Sequence, residues 1–170
     1  MSPICDILCV NGGMTMKTEM RNIKRKLSDE MTEQILENGL FGVLSTVGDG
    51  EPYGVPLSYA YEDGKIWFHC ATEGHKLGNI AVNNNVCFTV VDSVETLAEK
   101  FSTKYRSAIA FGKIFVVDDP QEKMRGIEAI MMKYSSEYAA EGRAYIDKYF
   151  EKFKILRMDI SELSGKGRLK

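Results

Sequence analysis

The stretch YGVPLSYAYEDGKIWFHC, residues 53–70, reads as two strands folded back on each other. Asp63 and Gly64 lie between two alternating apolar runs, the signature of a type I′ hairpin whose two central residues need positive φ. Upstream, LFGVLSTV (residues 40–47) reads as a further strand, joined to the hairpin by a turn at Gly48, Asp49 and Gly50. Downstream, NVCFTVVD (85–92), YRSAIAFGKIFVVD (105–118) and FKILRMDI (153–160) add three more, for six strands in all.

Helix signals fall between these runs. Ser28 caps a helix through Met31, Ile35 and Leu36 that Gly39 ends. A short helix fits residues 75–83, after Gly74. Asp119 with Pro120 opens a third, whose stripe of Ile127, Ile130, Met131 and Tyr134 reads as core or dimer interface. A polar stretch through Glu141 and Gly142 then leads to the last strand. Closely spaced antiparallel strands with few helices predict a mainly β chain, a small barrel with flanking helices rather than a parallel sheet.

A chain of 170 residues has room for one such domain, placed at residues 21–170. Residues 1–20 read as a poorly ordered extension, and Met14, Met16 or Met20 could each be the true start. A net charge of −2 with both signs interspersed argues against nucleic acid or an anionic membrane as partner. No apolar run approaches the roughly 18 residues that span a bilayer, and no secretory leader is legible. The expected location is the cytoplasm. Cys5 and Cys9 lack a second pair at zinc-finger spacing, while Cys70 and Cys87 sit in apolar strands as buried reduced thiols, so no metal site is expected.

Along residues 53–61, Val55, Leu57, Tyr59 and Tyr61 share one bulky face, and Gly54, Pro56, Ser58 and Ala60 share a small one. The small face suits either an edge strand or a floor for a flat ring, whose polar edge would satisfy the backbone beside Pro56. The segment FHCATEGHK, residues 68–76, carries a strand into a helix start through Gly74, with Lys76 beside it. A helix N-terminus with an added cation is a phosphate site, and Arg106 and Ser107 could complete it. His69 falls on the face of Trp67, opposite Ile66, Phe68 and Cys70, either as a packed aromatic or as a proton donor beside a redox ring.

These motifs resemble the pyridoxamine 5′-phosphate oxidase-like FMN-binding split barrels, and among them the 5-nitroimidazole resistance (Nim) branch. The likeness runs from about Met20 to Lys170 and is strongest from GVPLSYAY through DGKIWFHCATEGHK. It implies a six-stranded antiparallel split β-barrel that forms a homodimer with FMN at the subunit interface. It implies, further, that Val55, Pro56, Leu57 and Ser58 line the isoalloxazine through their backbone, with Phe68, His69 and Ala71 flanking ring and ribityl chain. Gly74, His75 and Lys76 would hold the phosphate with Arg106 or Ser107, and His69 would stand near the substrate as the catalytic residue. The ending GKGRLK lacks the arginine- and proline-containing terminus that true oxidases of vitamin B6 use for their substrate.

The activity expected is an FMN-dependent reduction of small aromatic acceptors such as nitroimidazoles. NAD(P)H would be a transient donor, since no Rossmann glycine motif is present. The alternative is a non-catalytic flavin- or haem-binding carrier or sensor. A second copy of the chain should cover the barrel's exposed edge and the Met- and Tyr-rich helix.

Overall fold

The computed structural model describes residues 20–170. The expected N-terminal extension, with Cys5 and Cys9, lies outside the described residues apart from Met20. Four helices, α1 (Asp29–Asn38), α2 (His75–Val82), α3 (Pro120–Ser135) and α4 (Ala139–Tyr149), flank one antiparallel sheet. Its strands are β1 (Phe41–Gly48), β2 (Glu51–Ser58), β3 (Ala60–Glu62), β4 (Lys65–Cys70), β5 (Asn85–Leu97), β6 (Ser102–Val116) and β7 (Lys154–Arg168). Their order is β2-β1-β5-β6-β7-β4-β3.

Seven strands stand where six were expected, because the run 53–62 breaks at Tyr59. β2 lies at one edge of the sheet and β3 at the other, yet only Tyr59 separates them in the chain. One residue can bridge the two edges only if the sheet curls until they meet. The result is a barrel not closed by hydrogen bonds, split between β2 and β4. Both hairpin turns follow the sequence reading. Asp49 and Gly50 have φ of 52° and 83°, and Asp63 and Gly64 have 51° and 72°.

The curled sheet encloses Leu44, Ile66, Phe68, Phe88, Ile114 and Met158, with Tyr59 and Phe68 edge-on to Phe88 at 4.8 and 5.0 Å between ring centres. α1 packs against β3, β5, β6 and β7 and sends Ile35 and Leu36 into this core. A second cluster of Ala60, Trp67, Ile130 and Ile155 fills the space between the sheet's outer side and α3. Ile130 and Met131 are therefore covered within the chain, which assigns that part of the helix stripe to core. What the sheet leaves open is an apolar outer face on β1 and β5, where Phe41, Val43, Val47 and Val91 are exposed.

β6 and β7 stay paired along nearly their whole length because the register shifts between Phe111 and Gly112, leaving Ser161 as the extra residue on β7. At this bulge a Cβ on Gly112 would stand 2.1 Å from the Asp159 carbonyl oxygen. The obstacle is backbone and cannot swing aside. Gly112→Ala should cost about 2–3 kcal/mol, the upper part of the range for overpacking, read as a lower urea midpoint at unchanged m-value.

Candidate functional site

The split is bounded by two strand edges with unpaired backbone. β2 pairs with β1 alone, from Phe41 opposite Ser58 to Gly48 opposite Glu51. Alternate N–H and C=O groups along its other edge therefore point into the split. β4 loses its partner on that side after Trp67, since β3 reaches only Ala60 opposite Trp67. From Phe68 to Cys70 it is held by β7 alone. Val55 and Leu57 turn their side chains towards the barrel core while Gly54 and Pro56 are exposed, so the faces divide as the alternation predicts.

At one end of the split the chain leaves β4 through Ala71, Thr72 and Glu73, all exposed, and enters α2 at Gly74. Gly74 has φ of 138° and caps the helix without any side-chain bond, and nothing lies within 4 Å of where its Cβ would be. The first N–H groups of α2 are thus open to a ligand. Asn79 seats this helix by donating to Thr46 Oγ1 of β1 at 3.0 Å while buried. The imidazole of His75 stacks on Tyr53 of β2 at 4.3 Å, so helix start and strand edge are tied together. Lys76 is close enough that its charge acts on His69 and Cys70.

His69 faces the opposite side of β4 from Phe68. Phe68 is wholly buried, so its side chain belongs to the barrel core and only its backbone borders the split. His69 is exposed at a cleft of about 420 Å³ between the sheet and the pair α3–α4, walled by Ile127, Met131, Tyr145 and Ile146. Partial desolvation first, and then the Lys76 ammonium, lower its pKa below the ordinary 6.5. Both effects favour the neutral imidazole. Ser58 lines the same cleft, so two of the sequence-derived site residues meet there.

Two others do not join them within one chain. Arg106 pairs with Ser93 and Gly167, whereas the His69 end of β4 lies level with Val116 of β6. Ten strand positions separate Arg106 from Val116, on the order of 30 Å along the strand. Arg106 is also committed to an ion pair with Asp92, and Ser107 donates to the Lys166 carbonyl at 3.2 Å. In a single chain, the start of α2 with Gly74, His75 and Lys76 thus stands apart from Arg106 and Ser107.

Sequence reasoning missed the wall that α4 builds and the part played by Tyr134. The Tyr134 hydroxyl accepts from the Tyr59 N–H at 3.0 Å and donates to the Leu40 carbonyl at 2.5 Å. It thereby pins the break between β2 and β3 where the split opens, while its ring lines the His69 cleft. A helical tyrosine in an apolar stripe carries no sign of that in sequence.

A family model described as pyridoxamine 5′-phosphate oxidase matches residues 28–167. The chain belongs to this pyridoxamine 5′-phosphate oxidase family. Solved structures agree in fold. A proposed 5-nitroimidazole antibiotic resistance protein of Bacteroides thetaiotaomicron superposes with a TM-score of 0.68 at 23% identity, over 84% of this chain and 86% of that one. A conserved hypothetical protein of Mycobacterium tuberculosis gives 0.75 at 21% identity, over 88% and 90%. An FAD- and haem-binding protein of Mycobacterium smegmatis gives 0.68 at 21%, over 84% and 72%. No curated protein matches in sequence.

The residues of the split fit the flavin that this family implies. Two strand edges offer unpaired backbone donors and acceptors to a ring, and the uncapped start of α2 with Lys76 offers a phosphate seat. Beside it, on the far side of Tyr59, Lys133 carries a separate pH dependence. Its ammonium lies 3.9 Å over the Tyr59 ring and donates to the Leu36 carbonyl at 3.4 Å. Burial lowers its pKa from 10.5 to about 8. Between those values the unfolded chain binds the extra proton, so stability rises with pH from about 8. Lys133→Met should raise stability at pH 7 by about 1 kcal/mol, less than the whole shift because the ammonium is only half buried. Urea midpoints compared between pH 7 and 10 should show the native rise flattened in the variant.

Proposed function

We propose that the chain is a cytoplasmic, homodimeric FMN-dependent reductase that passes electrons from NAD(P)H to a small aromatic acceptor, a nitroimidazole being the type. The observation that carries this reading is the junction of the split with the His69 cleft. A flat ring held by the free edges of β2 and β4 would border an apolar chamber large enough for one small ring, with an imidazole at its mouth. When bound, FMN supplies the two-electron redox chemistry. The chain's own residues do the rest. Val55, Pro56, Leu57 and Ser58, with the backbone of Phe68 and Ala71, would hold the ring, and Gly74, His75 and Lys76 the phosphate. Ile127, Met131 and Tyr145 exclude water from the acceptor, and His69 in its imidazolium form supplies a proton to the oxygen that gains negative charge.

The exposed apolar face of β1 and β5 is the surface a second copy would cover, more so than the α3 stripe already spent on the core. Dimerisation could also bring a partner's Arg106 and Ser107 to the phosphate, which the single chain leaves far from it.

The test is an absorbance spectrum of the purified protein followed by anaerobic titration with NADH and NADPH. Flavin bands that bleach with either nicotinamide, and recover on adding a nitroimidazole, support the reductase. A Soret band, or a flavin that neither nicotinamide reduces, replaces it with a carrier or sensor. Light scattering should give a dimer at micromolar concentration.

A further inference from the structure

A second cationic site lies away from the split, where the turn of residues 23–25 meets the end of β7. The two segments are built together. Lys26 bridges Lys166, and the Leu27 N–H donates to the Gly165 carbonyl at 3.0 Å. Between them opens a cleft of about 420 Å³ lined by Lys24, Arg25, Lys26, Arg168 and Lys170, with no aspartate or glutamate in its lining. The chain as a whole carries a net charge of −2, so this concentration of cations runs against its own average.

The two arginines are the informative members. Arg106, Arg125, Arg143 and Arg157 each hold a carboxylate. Arg25 and Arg168, both half-buried, hold no aspartate or glutamate among the described residues. Arg25 reaches only the Tyr105 hydroxyl at 3.4 Å, while Arg168 donates through Nε to a terminal carboxylate oxygen of Lys170 at 3.0 Å and leaves its two terminal nitrogens for a ligand. Arg25, partly desolvated and held only by a hydroxyl, retains donors for an anion, as do the terminal nitrogens of Arg168, and a planar guanidinium fork matches phosphate oxygens two at a time. The patch is compact. It lacks the extended basic stripe that tracks a nucleic-acid backbone.

We infer that this cleft binds a small phosphate ester or pyrophosphate carrying at least two negative charges. Within one chain the α2 start and this cleft use different residues, and because Arg106 lies opposite Gly167 of the cleft, the FMN-loaded arm of the test separates this site from a flavin phosphate reached across a dimer.

Isothermal titration at 150 mM salt tests it, with sodium pyrophosphate and ADP as probes, on flavin-free and on FMN-loaded protein. Saturable binding of one pyrophosphate per chain is expected in both forms. Arg25→Gln and Arg168→Gln should each weaken it about tenfold or more, and Arg143→Gln should leave it unchanged. Arg25→Lys and Arg168→Lys, which keep the charge but lose the fork, should weaken it less. They stand in should a Gln variant fail to fold. ADP binding well above pyrophosphate would mark a nucleotide site, and equal affinities a site that reads phosphate alone. No saturation, or equal weakening in all three Gln variants, overturns the proposal. So does loss of pyrophosphate binding on FMN loading, which would make this the cofactor's own phosphate seat.

Discussion

His69→Ala is expected to keep fold and flavin while losing about 10²–10⁴ in turnover with a nitroaromatic acceptor, the usual worth of a positioned proton donor. The fold should survive because His69 is exposed at a cleft rather than packed in the core, so truncation opens no internal cavity. The flavin should remain because the imidazole lies on the cleft side of β4, while the proposed ring contacts come from backbone. The loss should fall on kcat more than on KM, since a proton is needed only as charge builds on the acceptor.

The pH profile separates this role from packing. With its pKa held below 6.5 by desolvation and by Lys76, His69 is mostly neutral at pH 7. The imidazolium is the stronger acid, so turnover in the native protein should climb as pH falls from 7 towards the lowered pKa. His69→Ala should lack that climb. A variant with native turnover and the same profile would leave His69 a packing residue.

How much of this was legible beforehand follows the range of the interactions involved. Hairpin turns are local, and Asp63 with Gly64 sufficed to place β3 against β4. Alternation is local too, and it separated His69 from Phe68 correctly. The break at Tyr59 was not legible, because it arises from curling the sheet until its two edges meet, with Tyr134 arriving from α3 to cap the freed backbone. α4 was read as a polar stretch because Glu141, Gly142 and Arg143 obscure a helix that buries only Ile146. The grouping of Arg106 with Lys76 failed within the single chain for a topological reason. Which end of β6 lies beside His69 depends on the order β6-β7-β4, and no pattern within one strand encodes it.

Lys76→Ala is expected to weaken FMN binding about tenfold to a hundredfold, as a charge-assisted phosphate contact is worth roughly 1.5–3 kcal/mol. Riboflavin, which has no phosphate, should bind the variant as it binds the native chain. The placement of Lys76 in the first turn of α2 supports this, because there its charge adds to a helix end whose cap is a bare glycine. The same substitution gives a second readout. Lys76 is one of the two causes that lower the His69 pKa, so its removal should move the His69 titration upward. NMR can follow this, since the chain has only 2 histidines. An Arg106→Ala variant completes the comparison. Loss of FMN affinity there in the dimer, with none in the monomer, would mean that the partner's strand reaches the phosphate. If FMN and riboflavin lose affinity equally in Lys76→Ala, the lysine only holds the helix in place and the phosphate is bound elsewhere.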